Sequence, residues 1–224
     1  MASFLSSIFK KNKEELYTVA FYNVENLFDT KDNPKTHDDA YTSFGKRRWT
    51  YKRYKDKLKR LTSVISQLGS ERSNKPPILV GLVEVENSEV VQDLAHHKNL
   101  KNYHYGYVHY DSPDERGIDV ALLYSKENFE LISSKTHGLY FEEEDGERDY
   151  TRDVLHVSGK IKGELIHILV NHWSSRRDGE EETRPKRIKA AELNRTIIDD
   201  IKTEINFLCQ IIYFINNSLI SSFF

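Results

Sequence analysis

The sequence predicts an α/β fold built on mixed sheets, and three features of its 224 residues predict it. Apolar, β-branched runs end on polar residues, as strands do at the rim of a sheet. Between them lie segments with apolar residues at three- and four-residue steps, the period of an amphipathic helix. Some strands are separated by short turns and others by helices, so hairpins alternate with crossovers and a purely doubly wound sheet is excluded.

The elements follow in order. "LYTVAFYN" is a first strand ending on Asn23, with the long loop "VENLFDTKDNP" after it. From Tyr51, the residues Tyr54, Leu58, Leu61, Ile65 and Leu68 mark a helix that closes near Gly69. Pro76 and Pro77 forbid its continuation, and "ILVGLVEVEN" then reads as a strand buried on both faces. "SEVVQDLAHH" is a short helix. "YHYGYVHY" and "GIDVALLYS" are strands around the turn "DSPDERG", and "TRDVLHVSGKI" and "ELIHILVNHW" form a hairpin about Gly163. "RPKRIKAAELNRTIIDDIKTE" is a helix whose apolar face would carry Ile188, Ala191, Ile198 and Ile201. After Glu204 the texture changes, because the last twenty residues carry no charge in a chain that is 30% charged. The expected organisation is a lead over 1–16, a domain over 17–204 and an apolar tail over 205–224 outside that domain. A membrane anchor is an alternative for the tail, diluted by Asn206, Gln210, Asn216 and Asn217.

Composition bounds the function. With 38% hydrophobic residues the chain buries a proper core, and a net charge of −2 excludes a globally basic nucleic-acid coat protein. One cysteine, Cys209, excludes a disulfide framework. The N-terminus places its lysines after its apolar run, the reverse of a secretory signal, so the expectation is a cytoplasmic monomer without an obligate protein partner. The basic run "GKRRWTYKRYKDKLKR" favours a polyanionic substrate, although about half of it must be the solvated face of the helix.

Chemistry is expected at the strand ends, where α/β proteins place their sites. Glu84 and Glu86 close a buried strand, and strand alternation would project both to one face. Asn23 ends the first strand, Arg116 and Asp119 open a later one, and Asn171 and His172 close another. Taken singly, each has a plain reading: the two glutamates as turn residues before a helix capped by Ser88, Asn23 as a turn former, Arg116 and Asp119 as a surface pair, His172 as a surface histidine. Together they form a phosphoryl-hydrolysis set. A carboxylate suits magnesium, an amide orients it, and a histidine with arginines stabilises charge on phosphoryl oxygens.

"FYNVENLFD", "GLVEVEN", "RGIDVALLY" and "LVNHWSSRR…RPKRIKAAEL", in this order and at these intervals, resemble the endonuclease/exonuclease/phosphatase superfamily, the magnesium-dependent phosphoesterases related to DNase I. The resemblance runs from about Tyr17 to Lys202. It implies a DNase I-like sandwich of two mixed β-sheets flanked by helices, incomplete at the C-terminus. It implies Glu84 as the ligand for Mg2+, or Mn2+ in its place. Asn23 and His172 become catalytic residues, and Arg116, Asp119, Asn171 and Arg187 line the substrate. Glu86 matches no family role and is expected to add negative potential or to contact the adjoining loop. The implied partner is a phosphate-ester substrate, nucleic acid among the candidates. The family's later Gly-Asp-Phe-Asn-like and Ser-Asp-His motifs are missing from this sequence, so the expectation is that a longer parent hydrolyses phosphate esters while this chain is inactive. The alternative is a non-catalytic binding module on the same scaffold.

Overall fold

Each sheet owes its mixed character to one helix that carries the chain from one strand to a parallel neighbour. The computed structural model describes residues 4–7, 16–73, 75–142, 146–175, 179–204, 210–215 and 218–222. Its elements are β1 (Phe4–Ser7), β2 (Tyr17–Leu27), α1 (Tyr51–Ile65), the single turn α2 (Ser70–Ser73), β3 (Leu79–Val85), α3 (Ser88–Ala95), β4 (Tyr105–His109), β5 (Asp119–Ser125), β6 (Glu130–His137), β7 (Phe141–Glu142), β8 (Arg148–Asp149), β9 (Val154–Ile161), β10 (Glu164–Val170), α4 (Glu180–Glu204), β11 (Gln210–Ile215) and β12 (Ser218–Ser222). One five-stranded sheet has the order β1-β2-β3-β5-β4, the other β12-β11-β10-β9-β6, and β7 and β8 form a small ribbon. The parallel pairs are β2 with β3, across α1, and β10 with β11, across α4.

Three apolar layers follow. Tyr54, Leu58, Leu61 and Ile65 of α1 and Val90, Val91 and Leu94 of α3 pack on the outer face of the first sheet, against Val80, Leu82 and Val85. Leu79, Val83, Val120 and Leu122 meet Leu155, Val157, Ile166, Ile168 and Phe214 between the sheets. Ile197 and Ile201 of α4 cover Val154, Leu169 and Ile211 on the far side. This explains the unbroken apolar run in β3, which is buried on both faces. The β9–β10 hairpin turns through Lys162 (φ 51°) and Gly163 (φ 83°), the two left-handed residues that a tight hairpin requires.

Several expectations change. Residues 210–215, set apart in the sequence as tail, extend the second sheet beside β10, and Phe214 is fully buried between the sheets. Gly81 makes room for it, since a Cβ there would sit 2.7 Å from the Phe214 ring. The buried face of α4 is Thr183, Ala190, Asn194, Ile197 and Ile201, while Ile188 and Ala191 face solvent. The apolar spacing conceals this face because two of its five buried positions are polar: Thr183 Oγ1 donates to Gly179 O and Asn194 Nδ2 to Ala190 O. Asn87, not Ser88, caps α3, its Oδ1 accepting from Val90 N at 3.0 Å. No helix among the described residues is long and apolar enough to cross a membrane.

Candidate active site

β2 and β3 run in parallel with Asn23 opposite Val83, so both strands end on the same rim. There β3 bulges. Against β5, Val83 pairs with Val120 and Val85 with Asp119, so Glu84 is the extra residue, and it has φ 67°; against β2 the irregularity lies on β2 itself, between Asn23 and Leu27. A left-handed glutamate costs on the order of 1 kcal/mol, a strain typical of functional sites. The bulge also separates the two glutamates, which strict alternation would have sent to one face. Glu84 Oε1 accepts from Asn23 Nδ2 at 3.0 Å. Glu86 turns instead to the adjoining loop, where its Oε2 accepts from the Asp29 backbone N–H. Burial pushes the Glu86 carboxyl up to about 8, so it holds a proton at neutral pH and adds little negative potential.

The second sheet supplies the histidine. β10 ends at Val170, and His172 lies two residues on with Nε2 3.5 Å from Glu84 Oε1. Burial, then the positive charges of Arg152 and Arg116, hold His172 well below the usual histidine range. The imidazole is therefore neutral, and the tautomer suited to the carboxylate carries its proton on Nε2. Its Nδ1 is buried with no hydrogen-bond partner among the described residues.

Asn23, Glu84 and His172 thus come together, from two strands of one sheet and one of the other. Arg116 lies at their edge: its Nη2 donates to Asn26 Oδ1 at 2.6 Å and its charge reaches His172. The other candidates point elsewhere. Asn171 is buried, its Oδ1 accepting from Asn194 Nδ2 at 2.7 Å and Trp173 Nε1 at 3.2 Å. Asp119 accepts from Ser112 N at 2.9 Å and meets His109 Nε2 at 3.2 Å; burial raises its carboxyl. His109, Asp111 and Asp119 bring ligand atoms within 4.8 Å of one another, a separate acidic and histidine group at the end of β4, in the loop after it and at the start of β5. Arg187 donates to Thr183 Oγ1 and to Glu180 O, so it braces the first turns of its own helix.

Two residues that the sequence did not single out support the site. Arg152 pairs with the buried Asp114 at 2.8 Å and donates to the His172 carbonyl at 3.2 Å. Its only sequence signal is its position just before β9, matching the way Arg116 precedes β5. Lys57 of α1 donates to the carbonyls of Glu25 and Asn26, a pair of left-handed residues at φ 55° and 62° that begins two residues after Asn23. Burial pushes the Lys57 amine down to about 8.

The donor set fits a hard cation. Glu84 offers an anionic oxygen at the rim, and Asn23 Oδ1 is already taken by Glu25 N at 2.7 Å, so the amide orients the carboxylate. Magnesium binds through one or two carboxylates and keeps several waters, which this sparse set allows.

The sequence matches the profile of the Endonuclease/Exonuclease/phosphatase family over residues 18–214. The chain belongs to this family. No curated protein matches the chain. Among solved structures it is similar to an endonuclease/exonuclease/phosphatase family protein from Bacteroides thetaiotaomicron, at 16% identity and TM-score 0.53 over 95% of this chain and 63% of that one. A mannosyl-6-phosphatase from the same organism matches at 18% identity and TM-score 0.50, over 88% of this chain and 63% of that one. A humanized D. rerio TDP2 matches at 13% identity and TM-score 0.50, over 86% and 58%. These likenesses bear out the DNase I-like fold of mixed sheets and flanking helices. The chain spans less than two thirds of the length of each of these structures.

Proposed function

We propose that the rim at Asn23, Glu84 and His172 belongs to a metal-dependent phosphoesterase, with Glu84 holding Mg2+ or Mn2+. The observation that carries this reading is the meeting of a strained carboxylate with an amide 3.0 Å away and a neutral histidine 3.5 Å away from the opposite sheet. Asn23 fixes the orientation of the Glu84 carboxylate. His172, neutral at physiological pH, donates its Nε2 proton to a phosphoryl oxygen and so stabilises charge that grows during hydrolysis. Arg116 and Arg152 supply a fixed positive field behind it. A cation bound at Glu84 would supply neutralisation of the phosphoryl charge. The substrate is a phosphate ester, as the family and a neighbour named as a phosphatase suggest, with nucleic acid among the candidates.

One observation favours a second reading for this chain, a binding module without efficient turnover. The strand that follows α4, "QIIYFI", brings no carboxylate to the rim to orient or deprotonate the attacking water. The chain then binds cation and phosphate ester but hydrolyses weakly at most.

Titration with Mn2+ by calorimetry, beside turnover of a phosphodiester dye, tests both readings. Glu84→Gln should weaken Mn2+ by at least about tenfold, the scale on which metal sites respond to lost groups, and Glu86→Gln should do far less. Equal effects of the two substitutions would refute the site. Brisk metal-dependent turnover by the chain itself would refute the binding-module reading.

A further inference from the structure

From Lys46 to Arg60 the chain carries nine basic residues and one acid, Asp56, inside a protein whose net charge is −2. Seven of the nine, Lys46, Arg47, Arg48, Lys52, Arg53, Lys59 and Arg60, are exposed. Lys55 alone of the nine forms an ion pair among the described residues, with Asp93 at 3.2 Å. A solvated helix face usually mixes signs so that residues four apart attract, but here like charges adjoin. The first turn of α1 has no acidic residue and holds Lys52 and Arg53, against the sense of the helix dipole. Arg53 Nη1 donates to the carbonyls of Arg47 and Arg48, and Arg47 and Arg53 each lie 5.6 Å from a ring, Tyr41 and Trp49, but beyond Lys55 no acidic side chain among the described residues pairs with these charges, so the surface stays strongly positive.

Beside these charges Phe44 is 94% exposed. A lone exposed apolar side chain is ordinary, but this one is held out by a stiff loop. Arg47 N donates to Ala40 O at 2.9 Å, Trp49 N to Thr42 O at 2.8 Å, and Gly45 N to Thr42 Oγ1 at 2.9 Å. Behind it Tyr41 stacks on Phe28 at 4.1 Å and Trp49 Nε1 donates to Phe28 O at 3.0 Å. Tyr51, 62% exposed, is a second ring among the charges. The patch reaches the rim through Lys57, which holds the turn after Asn23 and lies in the field of Glu84.

We propose that the Phe44 loop and the basic start of α1 form a binding surface for single-stranded nucleic acid, with backbone phosphates on Arg47, Arg48, Lys52 and Arg53 and an unstacked base on Phe44. Charge complementarity selects a polyanion, and an exposed ring selects one whose bases are not already stacked in a duplex. That this strand is also the substrate of the rim rests on the phosphoesterase reading; the binding itself does not.

The test is fluorescence anisotropy of a short labelled oligothymidylate in EDTA. With four phosphates engaged, affinity should fall about fiftyfold between 50 and 200 mM salt. Phe44→Ala should weaken binding at least about fivefold at either salt without changing the salt slope. Arg47→Gln with Lys52→Gln should flatten that slope by about 1.4. Because these side chains are exposed, unchanged thermal unfolding of each variant serves as the folding control. Absence of salt-dependent binding, or a Phe44→Ala variant that binds like the parent, overturns the proposal. So does tighter binding to phosphatidylserine vesicles that Phe44→Ala abolishes and the oligonucleotide does not displace. Since no metal is present, these results are independent of the Glu84 titration, and either can fail alone.

Discussion

On the outer face of the second sheet, three histidines from adjacent strands make an acid-sensitive file. His137 Nε2 lies 3.4 Å from His156 Nδ1, and His156 Nε2 lies 2.9 Å from His167 Nδ1. The ring centroids are 5.6 and 5.2 Å apart, so the rings meet edge to edge and each contact is an N–H···N hydrogen bond. With all three imidazoles neutral, His156 donates on one side and accepts on the other. Burial, then the neighbouring imidazoles and Lys135, push His156 down to about 4. Burial likewise lowers His137 and His167, opposed by Asp200 and Glu204 of α4 respectively. The unfolded chain takes up its proton near pH 6.5, so stability is complete above that pH and falls until the folded ring also titrates near 4. Between pH 7.5 and 4.5 His156 alone should remove roughly 2.5 kcal/mol of stability. Urea unfolding of the parent and of His156→Leu at the two pH values measures it. The variant should start about 1–2 kcal/mol lower at pH 7.5, from lost hydrogen bonds, yet lose markedly less on acidification. If both proteins lost stability in parallel, the file would not be the acid-sensitive element.

Glu86 has the opposite linkage: its carboxyl stays protonated up to about pH 8 in the fold but ionises near 4.5 in the unfolded chain, so stability falls as pH rises through that window. Glu86→Gln should therefore melt higher than the parent at pH 9 and nearly equally at pH 4.5, in metal-free buffer. Gly81→Ala should cost about 1–3 kcal/mol by overpacking against Phe214, and the cost should vanish in a Phe214→Ala background; persistence of the full cost there would unseat β11 from the sheet. Asn194→Leu removes the buried amide that holds Asn171 and should destabilise by about 1–3 kcal/mol while shifting the His172 ring resonances; unmoved resonances would dissociate this network from the site.

Local pattern alone determined a good deal of this protein. The helical period from Tyr54 to Ile65, the doubly buried strand before Glu84 and the hairpin at Gly163 follow from short-range sterics and hydrophobic spacing, which sequence carries directly. Residue chemistry at strand ends sufficed to nominate Asn23, Glu84 and His172. Tertiary structure alone decided which nominees meet. A one-residue bulge sent Glu84 to the rim and Glu86 to the loop, and buried hydrogen bonds drew Asn171 to Asn194 and Asp119 to Ser112. It also seated the uncharged "QIIYFI" as β11, because Gly81 leaves room for Phe214 on a strand distant in sequence. Arg152 and Lys57 were invisible for the same reason: each acts on a backbone carbonyl contributed by another element, and a contact across the fold leaves no period or motif in the chain that makes it.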